Sequence, residues 1–535
     1  MDVRAKKAAP ARKMQGGQLP EPAPSQSFTF PAPIRGWVLN ENLATVQQAG
    51  ARKLDNWLCT TTGIRARGGC IKYATLTAAV TGLFPYNSTA DKFIATTATG
   101  VFDASAPASP TTVLTAAVSG RTSGDYAAAQ FGTAGGDFLY LVNGSDKPLL
   151  FNGSTFTAID GASTPAITGV TTTALSQVWS FANRLFFTQK NTMSAWYLPV
   201  TSIGGAAQEF SLAGVFKKGG ALLFGATWSL DSGDGLDDKC VFVSTEGEVA
   251  IYEGTNPGSS TDWRKAGLYQ MPKPLGKNAY TQAGGDLLIA TEVGLIPVSA
   301  AIQSDLAAIE SKAVSAPIAP YWQQQARTIS SGWTMVKAQR RGVMFVSQPG
   351  VANGEALAVN LLTGAWSRCT GWDTRCLGYF GDNAYFGAAD SCIYLMDSGG
   401  SDNGNIYTAL YLGQHEHMGA YGRKKSVRQM RAMFQTGSAI NPQVSALADY
   451  SEATSAPPSI ALASSSTVVW DSALWDVALW DGGATVTMNE GRWTATGVTG
   501  TTIAPELQIT FGSTVTPQVE LVAIDAEFHV GAVVA

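Results

Sequence analysis

Apolar and polar positions alternate along this chain in short runs, and the runs come in pairs. An apolar stretch, a turn rich in Gly, Asn or Asp, and a second apolar stretch recur at residues 93–104, 138–153, 184–200, 240–254, 286–299, 342–364 and 384–399. In the fourth of these, Val241 and Val243 answer Val249 and Ile251 across the turn Glu246-Gly247. That is the period-two signature of a β-hairpin. The spacing, roughly 40 to 60 residues, is near the ~40–50 expected of propeller blades. A single blade cannot cover both of its faces, whereas a closed ring of blades covers nearly all of them. The pattern therefore predicts an all-β chain with a β-propeller of about six to eight blades. A row of β-sandwiches is the alternative. The cysteine–tryptophan signature of such sandwiches is missing, which favours the ring.

The flanks read differently. Residues 1–50 form an N-terminal extended arm whose first part is basic and Pro-rich without periodicity, a composition that suits a segment wrapping a neighbour. The propeller is expected over 51–400. Residues 401–535 read as a C-terminal β-sandwich-like domain, with long strands near 405–412 and 426–435 and a Ser/Pro-rich break at 453–458. Helix is expected only at 301–314, capped by Ser304 and stopped by Pro317 and Pro320.

Composition narrows the function. Of 535 residues only 14% are charged, 57 are Gly, and the net charge is −4, so the chain as a whole is no polybasic nucleic-acid binder. No apolar run reaches membrane-spanning length, and the N-terminus lacks the apolar core of a signal peptide. The six cysteines (Cys59, Cys70, Cys240, Cys369, Cys376, Cys392) are scattered and expected to be reduced and buried.

Catalytic signatures are not found: no phosphate-binding loop, zinc-protease motif or nucleophile elbow occurs. A glycosidase would need two facing carboxylates, for which the sequence offers no positive sign. No enzymatic activity and no cofactor are expected. The three histidines are His415, His417 and His529; the first two share a strand face but lack a visible third ligand, so no metal site is expected. Ser229, Asp231 and Gly233 resemble the start of an Asp-box, a structural turn; Asp231, Asp234, Asp237 and Asp238 would be needed for a calcium cage, which lacks the usual spacing. Arg423, Lys424, Lys425, Arg428 and Arg431 concentrate charge in nine residues. They read either as a solvated edge strand or as a patch facing DNA or an acidic partner, and on a strand they fall on both faces. Trp470, Trp475 and Trp480, repeating at period five, are expected as interface aromatics or, alternatively, as a sugar platform.

Several phrases carry a resemblance: PAPIRGWVLNENLA and ARKLDNWLCTTTGIRARGG near the start, NGSDKPLLFNGSTFTAI, GALLFGATWSLDSGDGLDDKCVFVSTEGEVAIYEGTNP and GGDLLIATEVGLIPVS. Together they resemble the tail nozzle, or tail-hub and stabilisation, proteins of short-tailed, podovirus-like bacteriophages. The resemblance implies a propeller subunit in a homo-oligomeric ring, commonly a hexamer. It implies as partners a head-to-tail adaptor ring, fibres or spikes, and duplex DNA passing through the lumen without sequence-specific binding. It also implies a place in the virion after assembly in the host cytoplasm. Two other readings stay open: a glycan-binding or glycan-cleaving tail component, and a non-viral propeller scaffold for protein partners.

Overall fold

A computed structural model describes residues 25–41, 49–229, 238–351, 354–460 and 487–533. Among these residues the propeller is a ring of seven sheets, six of them with four strands. Blade 1 spans residues 80–119, blade 2 127–158, blade 3 175–211, blade 4 222–270, blade 6 334–370 and blade 7 376–396. The three-stranded blade 5, residues 280–297, sits between blades 4 and 6. Blade 7 supplies three of its own strands, and the fourth is Cys70–Thr75 from before blade 1. A chain segment from the beginning of the ring thus pairs with its end, so that neither terminus of the ring can peel away without breaking a ladder.

Burial explains why the hairpins were legible. Each of the seven predicted hairpins is the second and third strand of a blade. In the four-stranded blades those strands are paired on both edges and packed between neighbouring blades, so they carry near-continuous apolar runs. Val241 pairs with Ile251 and Val243 with Val249, and all four enter one interblade cluster. Aromatic contacts fill successive interfaces: Tyr86–Phe151 at 5.2 Å, Tyr140–Phe187 at 5.6 Å, Trp179–Phe242 at 5.8 Å and Phe224–Tyr280 at 4.6 Å. Trp372 lies between Phe345 of blade 6 and Phe386 of blade 7, and Phe93 of blade 1 stacks on Phe380 of blade 7.

The C-terminal region is a β-sandwich, and one of its sheets is an extension of the propeller. The outermost strand of blade 6, Trp366–Thr370, meets Ala51–Asp55 through a parallel bridge between Asp55 and Arg368. The sheet then continues through Tyr407–Gly413, Ile503–Phe511 and Gln443–Ala448. The facing sheet is built on Arg423–Thr436 and Val519–Val533, joined by Trp57–Cys59 and Ile64–Ala66 and by the N-terminal strand Gln26–Pro31. Leu54, Tyr411 and Leu507 from one sheet pack with Ile64, Met430, Leu521 and Ile524 from the other.

Two sequence expectations are corrected here. Residues 26–66 are neither wholly arm nor propeller: their strands complete the sandwich, pairing with partners such as Ala526, which faces Phe28. Ladders that close over more than four hundred residues leave no local trace in composition. The helix expected at 301–314 is also redistributed. The α-helix Val298–Gln303 ends at Ser304, a 3-10 turn covers Ile309–Lys312, and the longer helix is Ala319–Thr328. Pro320 lies in the first turn of that helix, where its missing N–H costs nothing, so it starts a helix instead of stopping one. Among the described residues no helix is long and apolar enough to cross a membrane.

Candidate functional site

Two places concentrate polar chemistry: the bore of the propeller and its junction with the sandwich. The bore is bounded by the free edges of the innermost strands, whose backbone groups would be unpaired without other partners. Side chains from neighbouring blades supply them. Lys277, 8% exposed, donates to the Asp125 carbonyl at 2.6 Å and the Ser176 carbonyl at 2.7 Å, and lies 3.1 Å from the Asp125 carboxylate. Asn278 donates to the Tyr126 carbonyl. Gln177 accepts from the Gly225 N–H, donates to its carbonyl and also donates to the Tyr280 hydroxyl. Gln282 donates to the Thr227 carbonyl, and Thr227 to that of Ser180. Burial holds the Lys277 ammonium below its ordinary pKa, with the Asp125 charge opposing.

The approach is close enough to demand glycine. A Cβ on Gly225 would collide with the Trp179 indole, and one on Gly378 would fall 2.6 Å from Leu83 Cβ. One ammonium reaches blades 2 and 3 from the segment leading into blade 5, so the bore at that level is far narrower than duplex DNA, whose major groove alone is about 12 Å wide. Above this closure the bore widens into a cavity of about 770 Å³ lined by blades 2 to 5.

The junction is held by charge. Arg67 is fully buried. Nη1 and Nη2 meet the two Asp402 oxygens at 2.8 and 2.7 Å, Nε donates to Asn56, and the remaining two N–H groups go to the Gly68 and Thr370 carbonyls. All five donors are therefore used. The guanidinium carbon lies 4.0 Å from the Tyr407 ring and 4.3 Å from that of Trp372, a sandwich that suits a planar cation. Arg368 grips Asp55 with two bonds at 2.8 and 2.9 Å and reaches Glu355 at 3.5 Å. The buried Asp397 receives Arg65 at 2.7 Å, Arg341, and the Gly68 N–H at 2.5 Å. Burial alone would raise its carboxyl; the Arg65 charge and hydrogen bonds, with Arg341 and Gly68, outweigh burial and hold it below the usual range.

Sequence reading missed these four arginines. The alternation Arg65-x-Arg67 on a strand was a usable hint that two cations share one side. Their carboxylate partners, more than 300 positions away, were not readable.

The residues singled out earlier fall as follows. Arg423, Lys424 and Arg428 are exposed on the strand Arg423–Thr436, whereas Lys425 is fully buried, donating to the Arg423 and Thr501 carbonyls, and its pKa is lowered by burial. Arg431 is paired with Asp525 at 3.0 Å and Glu490 at 2.8 Å and lies against Trp493. The five cations are thus not one patch: the pleat turns Lys425 inward and acids offset Arg431. His415 is buried, sits 5.1 Å from Tyr450 and 3.2 Å from the Ser451 carbonyl, while His417 stacks near Tyr421 at 4.6 Å. His529 lies on the opposite sheet, across from Ser426. Among the described residues no three metal-ligating side chains gather. All six cysteines are free and buried. Ser229 follows the first strand of blade 4; Asp231 and Gly233, with Asp234 and Asp237, lie outside the described residues, as do Trp470, Trp475 and Trp480.

No family model and no curated protein matches the chain. Solved structures similar to it include the computationally designed Ika8 protein, at 11% identity and TM-score 0.35 over 61% of this chain and 99% of that one. BBS1N in complex with ARL6DN is similar at 10% identity and TM-score 0.37, over 62% and 97%. YCF48 from Cyanidioschyzon merolae is similar at 11% and 0.36, over 62% and 98%. Likenesses at this level say nothing of function, and the propeller stands on its own strand pairing: a closed ring of blades welded to a sandwich by one shared sheet and a set of buried ion pairs.

Proposed function

We propose that the chain is a structural ring subunit, a wall element of the tail nozzle or hub of a short-tailed bacteriophage. The phrases that resemble that family support the assignment. The observation that carries it is mechanical: the propeller and the sandwich share a sheet through Asp55 and Arg368, and Arg67 is enclosed between blade 6, the turn before blade 7 and the first strands of the sandwich. A junction that must hinge is built from few contacts and mobile loops. This one is built from a continuous ladder and desolvated bidentate pairs, which suits a part that transmits force between neighbours.

In this reading duplex DNA does not pass through the propeller, whose bore is cross-linked by Lys277. The lumen lies between copies, and the wall facing it carries little net positive charge, because tight phosphate binding would retard passage. Mass measurement and electron microscopy of the purified chain with its adaptor test this. Closed rings whose central opening lies between subunits are expected. A chain that stays monomeric at micromolar concentration with its adaptor present overturns the proposal.

A further inference from the structure

We propose that the funnel at the open end of the bore is a binding site for a neutral saccharide. It is independent of the virion assignment and rests on the geometry of blades 2 to 5. The cavity, about 770 Å³, falls within the range of roughly 300–1,000 Å³ usual for small-molecule sites. It is blind, because Lys277, Asn278 and Gln177 tie the strands together below it. A narrower recess of about 280 Å³ shares Gln130, Ser180, Thr227 and Gln282 with it, so the funnel tapers toward that closure.

The lining selects the chemistry. Among the described residues hydroxyls and amides dominate: Ser180, Asn183, Thr227, Thr255 and Gln282, with the carboxylate of Asp238. Among the described residues no lysine or arginine lines it, which disfavours phosphates, carboxylates and nucleic acid. Phe131 and Phe181 belong to the interblade cores and, at 7% and 4% exposed, add only a little apolar surface to this polar lining, whose donors and acceptors match a sugar's hydroxyl rim. Among the described residues the Ser180 hydroxyl and the Asn183 side-chain amide make no hydrogen bond within the protein, and both are exposed.

The rim also carries backbone strain. Ala182 and Asn183 form the tip of the first hairpin of blade 3 with φ of 47° and 55°. Glycine would adopt both conformations at lower cost. An alanine and an asparagine held there put the Asn183 amide at the mouth of the funnel, a local cost of the kind that collects at ligand sites.

The test uses the full chain and saturation-transfer NMR. The probes are glucose, galactose, N-acetylglucosamine and their linear oligomers, against inorganic phosphate and a short DNA duplex. Binding of at least one neutral saccharide is expected, with phosphate and DNA silent. Preference for an oligomer identifies a polysaccharide end as the natural source, and equal binding of the monomer a free sugar. Ser180→Trp, which fills the funnel, abolishes the signal without shifting the melting temperature. Asn183→Gly, which keeps the backbone conformation and removes the amide, weakens binding roughly five-fold. The proposal is overturned if no neutral saccharide binds at millimolar concentration, if binding survives Ser180→Trp in a folded protein, or if phosphate competes for the same signal.

Discussion

Charge is scarce in this protein, and its energetic weight depends on where each residue is buried. Removing one partner of a buried pair leaves the other desolvated, at a cost of about 3–5 kcal/mol. Arg67→Ala is therefore expected to lower unfolding stability by that amount in denaturant titration, because Asp402 stays behind in the interior. Lys92→Ala, at a pair with Asp103 in which both side chains are about a third exposed, is expected to change it by less than about 1 kcal/mol. An equal effect of the two would contradict the assignment of Arg67 as the junction's anchor. Two buried groups contribute to the acid side of the stability profile. Burial lowers the His415 pKa, with the Ser451 carbonyl opposing, so the folded state prefers the neutral ring. Stability is thus full above the ordinary value of 6.5 and declines as pH falls below it, until the folded-state ring itself protonates. Asp397 acts at lower pH: its pKa is depressed, so its contribution is present above the ordinary 3.8 and lost as pH falls through the folded value. Thermal melts from pH 7 to 5 are expected to show a decline that His415→Gln removes, with a further loss below pH 4 that this variant retains.

At the scale of elements, the middle strands of each blade could be read from the chain, and the inner and outer strands could not. The strand Lys239–Ser244 is buried along nearly its whole length, whereas the outer strand Arg264–Gln270 has no buried residue and no readable alternation. Inner strands keep part of an apolar period, as Phe224, Ala226 and Trp228 do in blade 4, but the crowding of the bore interrupts it with Gly225 and, in blade 3, with Gln177. Gly225→Ala tests this: the added methyl meets the Trp179 indole, and a loss of about 1–3 kcal/mol is expected by calorimetry. An unchanged melting temperature would mean that the inner strands are not packed at contact distance. The closing strand gives a second test. Ala74 is fully buried and pairs with Ile393, so Ala74→Pro breaks the ladder that completes blade 7. Early exchange of the blade 1 and blade 7 amides is expected by hydrogen-exchange mass spectrometry, with blades 3 and 4 protected longer.

For the whole molecule, the shared sheet makes the propeller and sandwich one cooperative unit. A single calorimetric transition is expected for the intact chain, and Arg368→Ala, which strips the bridge to Asp55 and Glu355, is expected to separate the sandwich as an earlier shoulder. Two well-resolved transitions in the unaltered protein would show that the junction is a linker.

Period-two alternation, turn residues and their recurrence sufficed to determine that this chain is all-β, repetitive and ring-forming, because these are local consequences of pleat geometry and burial. The same local rules foresaw that the five clustered cations fall on both strand faces. Tertiary structure alone decided that Gln26–Pro31 pairs near the C-terminus, that Arg67 finds Asp402, and that amides and hydroxyls from four blades meet around one funnel. Those outcomes depend on contacts between distant residues. Each is fixed by which surfaces remain once the local hairpins have formed, and no window of sequence contains both partners.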